Sequence, residues 1–457
     1  MNTDRPGRIP GVAAHAVRPA ALPRIAGDES GATIVMVMAI VTAVLLIGGS
    51  LFILGTAESD VVEYGVDGAM AFGLAEGGVE RARTLLQELA AAESTADPVG
   101  TVFSEQPLGD GTYTTTITNE LTGGGWVRIY EVLSTGWKDG VPRQVRVTLQ
   151  EETFSQYQWF INQGGWRWFR TGERFEGPVH TNKKLQIDGD PWFGGRVTAS
   201  LGITMKQGSN PTFEAGYELF VDTIDLPLFT DITSVMMPAA QDAGIYRPAL
   251  SGKNARYEVV LGRTGAGMLG YRSVEKSGGN YVTSVWTDVH VSSLNGAAWF
   301  ADDVWIEGEL DGELTIAVEG SITVTGDVLY RDSAAGTGPN PGCDDMLGLI
   351  AENDILIADT PANSNDCEIH GAMMALWKNF EVEDYMHGAP RGSLIIYGGI
   401  MVEQSIHIGQ YQHDVLVSGY ARDYRWDERL NTWWPPFFPK TGNYFVRTWE
   451  EIIPPEV

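Results

Sequence analysis

Cysteine is almost missing from this chain: Cys343 and Cys367 are the two thiols in 457 residues. Neither lies in a CxxC or Cys/His spacing, which argues against a zinc centre. His370, His387, His407 and His413 are scattered, without the spacing of a metal cage. His180 sits in a turn-like Pro-Val-His-Thr-Asn string and reads as a hydrogen-bonded turn residue. Positive charge is also scarce, 31 Lys and Arg against 59 Asp and Glu, for a formal net charge of −28. A field of that sign repels phosphate backbones, so nucleic acid is an unlikely partner. No GxSxG elbow, Walker loop or HExxH stretch occurs. The chain is therefore expected to be no enzyme and to use neither cofactor nor metal.

Carboxylate pairs are present: Asp302-Asp303, Asp344-Asp345 and Asp188-Gly189-Asp190. They are the candidates for acid/base work or Ca²⁺. Adjacent acids on a strand point to opposite faces, which makes Asp302 and Asp303 a poor pair. In a chain this acidic such doublets also arise by chance.

What is abundant is glycine, 55 residues, with 14 Trp beside it. That much glycine implies many turns between short strands and a β-rich architecture. The length exceeds what one core usually holds, so two or three folded units are expected.

The strongest segment is Ala32 to Leu54, 23 residues without a charge. As a helix it rises about 34 Å, enough to cross the hydrocarbon layer. Arg5, Arg8, Arg18 and Arg24 precede it, and Glu58, Asp60, Glu63 and Asp67 follow. The positive-inside rule then puts residues 1–31 in the cytoplasm and the C-terminal part outside, at the cell surface. A cleaved secretory signal has a shorter apolar run ending in small residues, so a retained span over 32–54 is the better reading.

From Thr56 to Glu93 the helical period continues. Val62, Ala69, Phe72, Val79, Ala82, Leu86 and Leu89 recur at three- and four-residue steps, and Asp97-Pro98 ends the rod. Between Gly111 and Glu152 the period becomes two, in runs at 113–118, 126–130 and 144–149. Three antiparallel strands covering the helix are predicted, since a small sheet is not stable alone. The unit thus spans 55–152.

The remainder, 153–457, alternates short apolar strands with glycine turns, as in Val304–Gly308, Leu314–Val318, Ser321–Gly326, Leu347–Ala351, Ser393–Gly399 and Val415–Gly419. Strands this short bury an inner face only by stacking, which predicts a right-handed β-solenoid (β-helix); a sandwich is the competing arrangement. The stretch from about 202 to 298, with a helix near 231–243, breaks the pattern and reads as an insertion. Trp433-Trp434-Pro435-Pro436-Phe437-Phe438-Pro439 is expected to wrap the last coil and shield its edge. The fold class is α+β. An outside location predicts a Cys343–Cys367 disulfide closing a loop of about 25 residues, for roughly 3 kcal/mol.

Two stretches carry a family resemblance. Glu29-Ser30-Gly31-Ala32-Thr33-Ile34-Val35 resembles the Gly-ended leader junction of PilX-type minor pilins, and Ala71-Phe72-Gly73-Leu74-Ala75-Glu76-Gly77-Gly78-Val79-Glu80 resembles their "AFxxAEAGIE" signature. The resemblance to the type IV pilin superfamily implies prepilin peptidase cleavage between Gly31 and Ala32. It also implies packing of the freed helix with other pilin-like subunits in a pilus or pseudopilus. Most pilins carry Glu at the fifth mature position, where this chain has Met36; members lacking it tend to be priming or tip subunits. The later half is similar to uncharacterised pilus-associated ectodomains at 177–182, 320–330, 371–376 and 419–424. The resulting expectation is a structural or adhesive minor pilin or pseudopilin. The alternatives are a DNA-uptake or ligand-binding protein and a surface polysaccharide-active enzyme.

Overall fold

A computed structural model describes residues 29–91, 98–119, 128–164, 168–334, 336–412 and 415–452. The leader arginines, Asp97, Trp126, Val127 and His413 lie outside the described residues. The chain divides into two units, 1–69 and 70–457. Helix α1 runs without a break over Glu29–Ala91, and in the first unit every described residue from 31 to 66 is exposed.

The second unit is a large, mostly β domain with several sheets. Beside the later turns of α1 lies a five-stranded antiparallel sheet in the order Gly100–Leu108, Gly111–Asn119, Ile129–Lys138, Val141–Thr153 and Lys440–Ile452. Three strands are expected from the sequence. The two extra ones lie at the edges, and one comes from the far end of the chain.

The rest of the β domain is built on parallel pairing. Ile245, Ala298, Ile316, Leu349, Met373, Ile400, Trp159, Val179, Val197 and Tyr217 stand opposite one another in a single line of ten rungs. A second line runs through Tyr257, Val304, Ile322, Ile355, Phe380 and Ile406. The side chains between these lines form the main core, from Ile245 through Ile316 and Met373 to Val197. Each rung is too short to hold its own apolar face out of water, and stacking supplies the cover. At Gly371 and Gly398, which face each other, the backbones approach so closely that a Cβ on Gly398 would lie 2.1 Å from the Gly371 carbonyl. Both have positive φ, which glycine adopts without strain.

The spatial order of rungs is not the chain order. Residues 159–219 form one end of the stack, and residues 245–402 come before them in space although they follow in sequence. The chain must therefore return along the stack between 219 and 245, about 43 Å for nine inter-strand steps. Helix α2, Phe229–Ala243, rises about 22 Å and makes roughly half of this return, the extended chain before it the rest. Its buried face, Phe229, Ile232, Met236 and Ala240, packs with Trp299, Ala317, Ile350, Met374 and Met401 on the outer side of the ladder. The interval 202–298, expected as an insertion, thus holds rungs at Ile203–Met205 and Tyr217–Leu219, the returning helix, and rungs at Ile245–Arg247 and Arg256–Leu261. Only Met268–Ser277, Asn280–Thr283 and Thr287–His290 leave the parallel pattern, as an antiparallel meander.

The aromatic segment before the last strand differs from expectation. Trp434 packs with Ile129, Met346, Trp426 and Leu430, and Phe438 joins the cluster under α2. It covers the side of the stack, where Gly348 leaves room for Pro435 and Phe438, and not a terminal edge.

Candidate functional site

Residues 32–54 meet the length and composition needed to cross a membrane, and none of this stretch is buried within the chain. The Gly31–Ala32 peptide lies in the first turn of α1. An uncharged helix with no internal cover must find it in lipid or in other apolar helices.

Further along, α1 is shaped for close contact. Ala71, Ala75, Gly78 and Ala82 recur at steps of four, three and four and are all buried. They let the sheet approach the helix backbone: a Cβ on Gly136 would lie 2.1 Å from the Ala71 carbonyl oxygen and 2.6 Å from the Ala75 nitrogen. On the helix side, a Cβ on Gly78 would lie 2.6 Å from the Thr115 hydroxyl. Val79 and Leu86 are buried against Ile117, Val132, Val145 and Val147. Phe72 is only half-buried, its ring edge-on to Trp449 at 5.9 Å. The upper part of the expected stripe, Val62 and Ala69, is exposed. The small-residue stripe is thus the seat, and the larger residues flank it.

Where the rung at Ile400 meets the rung at Trp159, a groove of about 580 Å³ opens, lined by Asn162, Asp225, Leu228, Leu376, Trp377 and Glu403 among others. A polar relay runs beneath it. His180 is fully buried and stacks on Phe160 with ring centroids 4.9 Å apart. Its Nε2 donates to Asn182 Oδ1 at 2.7 Å, because that oxygen also accepts from the Ile224 N–H. Asn182 Nδ2 donates to Asn162 Oδ1 and to the Ile224 carbonyl, and Asn162 Nδ2 donates to Glu403 Oε2 at 2.7 Å. The Thr198 hydroxyl stands 2.7 Å from His180 Nδ1. Burial lowers the His180 pKa from its ordinary 6.5, partly offset by the bond to Asn182. The imidazole is a strand residue, in Val179–Thr181, and not in the turn its sequence suggests. The relay ties the returning chain at Ile224 to both halves of the stack.

A second buried polar cluster surrounds His370. Its Nδ1 accepts from the Tyr330 N–H at 3.1 Å, so Nε2 carries the proton donated to Glu368 Oε1 at 2.9 Å. Arg429 chelates Asp427 and donates to the Cys343 and Asp345 carbonyls. These bonds fasten the chain near 429 to the 343–345 turn. His407 stacks on Tyr385 at 5.2 Å, and His387 is exposed.

The expected Cys343–Cys367 bond is not made: both thiols are free and buried. Cys343 belongs to the 343–345 turn, where its Sγ lies 3.5 Å from Asp345 Oδ2, while Cys367 opens the strand Cys367–Ala375. Burial pushes the Cys343 thiol up to about 11 and Cys367 higher still. The carboxylate candidates serve the backbone. Asp302 accepts from the Leu250 N–H, Asp303 from Ser321 N–H at 2.8 Å, Asp190 from Asn210 N–H at 2.8 Å, and Asp345 from Gly312 N–H at 2.7 Å. Asp188 pairs with Lys206 at 2.6 Å, and Asp344 is exposed. Among the described residues no cluster of three His, Cys, Asp or Glu side chains is placed to hold a metal.

Residues 129–201 match a family described as "Domain of unknown function (DUF4900)". The match covers the third and fourth strands of the sheet beside α1, Ile129–Lys138 and Val141–Thr153, and the first rungs of the stack. No curated protein matches the chain. Among solved structures, the chain is similar to the competence-associated pilin ComZ from Thermus thermophilus, at 13% identity and a TM-score of 0.32 over 84% of this chain and 97% of that one.

Proposed function

We propose that this protein is a non-enzymatic, membrane-anchored subunit of a type IV pilus-like assembly, a minor pilin or pseudopilin that carries its β domain at the cell surface. One observation carries the reading. A single helix has an uncharged, wholly exposed stretch at 32–54 and, from Ala71 onward, a small-residue face seated on an antiparallel sheet. A plain membrane anchor needs only the first of these. The second seats the turns of the helix from Ala71 onward on a folded head. The parallel rungs are read here as a β-solenoid, a rigid body suited to presenting surface away from the membrane. The partners are other pilin-like subunits through 32–54, and a prepilin peptidase acting between Gly31 and Ala32. Met36 at the fifth mature position, where most pilins carry Glu, argues against abundant incorporation along the fibre.

N-terminal sequencing of protein sheared from cells tests this. The mature chain should begin at Ala32, and Gly31→Leu should accumulate uncut. Surface protein that retains residues 1–31 would reduce the assignment to a simple anchor.

A further inference from the structure

The groove over the junction of the Ile400 and Trp159 rungs is built from three successive rung ends. Ala375 stands opposite Val402, and Val402 opposite Ile161. The ladder continues one residue further, since the Glu403 N–H donates to the Ala375 carbonyl and the Asn162 N–H to the Val402 carbonyl, both at 3.0 Å. Leu376-Trp377, Glu403-Gln404 and Asn162 therefore follow one another at the inter-strand step, ~4.8 Å. The chain from Asp225 that leads into α2 forms the opposite wall.

Two kinds of surface meet in this groove. Trp377 is 58% exposed, the most exposed tryptophan among the described residues, and no ring or cation stacks on it. Its main chain is nevertheless held, because its carbonyl accepts from Gln404 Nε2 at 3.0 Å and Leu376 beside it is buried. The polar atoms left open are acceptors. Glu403 Oε2 takes the Asn162 bond while Oε1 takes none, and neither Gln404 Oε1 nor the exposed Asp225 carboxylate accepts from the described chain. No Lys, Arg or His side chain lines the groove among the described residues, and the neighbouring Lys378 bonds Asp354 instead.

These features select the ligand. Two carboxylates in a chain of net charge −28 repel an anion. Open acceptors call for a molecule rich in donors, and a bare indole face calls for an apolar face on that same molecule. A pyranose has both, a rim of hydroxyls and a face of C–H groups. A small ammonium ion would meet one carboxylate and leave most of the ~580 Å³ unfilled. In a chain of pyranoses each ring advances about one inter-strand step, ~5 Å, so successive rings meet successive rung ends. We propose that this groove binds an oligosaccharide of uncharged hexose or N-acetylhexosamine units, one ring stacked on Trp377 and hydroxyls donated to Glu403, Gln404 and Asp225. The relay from His180 through Asn182 and Asn162 holds Glu403 in place beforehand, so little side-chain order is lost on binding. The inference does not rest on the pilin reading: leader processing and groove binding are read by separate experiments, and either can fail alone.

The test is a printed array of neutral, uronic-acid-bearing and sulfated oligosaccharides, with hexalysine beside them, probed with the labelled full chain in a detergent that has no sugar headgroup. Neutral oligomers of glucose, galactose, mannose or N-acetylglucosamine should be retained and the anionic ones should not. Calorimetric titration with a retained oligosaccharide then compares variants. Trp377→Ala should weaken binding at least ~10-fold. Glu403→Gln, which can still accept from Asn162, should also weaken it at least ~10-fold. Trp449→Ala, at a half-exposed tryptophan on the sheet beside α1, should leave it unchanged. Circular dichroism checks that the three variants keep the wild-type fold. An array on which no neutral oligosaccharide is retained overturns the proposal. Retention of hexalysine alone would make the groove a site for amines, and preferred retention of anionic sugars would contradict its charge; both overturn it. So does neutral-sugar binding that survives Trp377→Ala, which would place the contact elsewhere on the chain.

Discussion

At the residue scale, two buried histidines are held neutral by their surroundings. His180 has a ring nitrogen facing a hydroxyl and a ring face on Phe160, and burial lowers its pKa. His370 is shifted the same way, by burial first, against the pull of Glu368. A folded-state pKa below the unfolded value means that the unfolded chain binds more protons just under pH 6.5. The stabilising contribution is therefore present in full above about pH 6.5 and is lost as pH falls through the interval down to the folded pKa. The net acidic charge also changes over this range, so a difference between variants is the useful quantity. His180→Gln should show a flatter fall in melting temperature between pH 7 and 5 than the wild type, by differential scanning fluorimetry. Parallel curves would mean that His180 is not desolvated as described. The sequence shows a histidine in a polar string; only the pairing of Phe160 with His180 and of Val197 with Val179 buries it.

At the element scale, the packing of α1 ranks its residues differently from the periodicity alone. The stripe of Phe72, Val79 and Leu86 is expected to be uniformly buried, yet Leu86 is in the core while Phe72 lies at the border against an exposed Trp449. Leu86→Ala should cost about 2–5 kcal/mol, as fully buried leucines do, and Phe72→Ala clearly less. Gly136→Ala should cost about 1–3 kcal/mol, since the added methyl meets helix backbone that cannot turn aside. Urea unfolding of the three variants checks the order; a Phe72→Ala loss equal to that of Leu86→Ala would contradict the geometry. Helical and strand periods are local properties, which is why α1 and the strands at 113–118 and 144–149 are legible, whereas the strand Ile129–Lys138 meets the expected run at 126–130 only in its first two residues. Lys440–Ile452 pairs with Val141–Thr153 across almost 300 positions, and no local signal announces such a partner.

At the scale of the whole molecule, the permuted stack makes the two stretches of the β domain depend on one another. Trp159 is covered by the Ile400 rung on one side and packs on Tyr424, with ring centroids 5.1 Å apart. Residues 159–219 therefore cannot complete their core until residues beyond 400 are present. Residues 154–226 on their own should show no cooperative melting and should bind a hydrophobic dye such as ANS, as expanded states with exposed cores do. A sharp thermal transition in that fragment would mean that its four rungs fold alone. The same dependence predicts slow refolding of the intact chain, because pairing at such separation must close very long loops.

The sequence by itself determined the properties that are written locally: the uncharged span at 32–54, the helical period that follows, the alternation of the first strands, and a glycine-punctuated run of short apolar strands. Tertiary structure alone decided the order of the rungs, the return path of α2, the edge strand from the C-terminus, and which histidines and thiols are sealed from water. The reason is physical. Hydrophobic patterning says that a strand must be covered, but it is non-directional, and many segments offer equivalent cover. Which one provides it depends on backbone pairing between residues hundreds of positions apart.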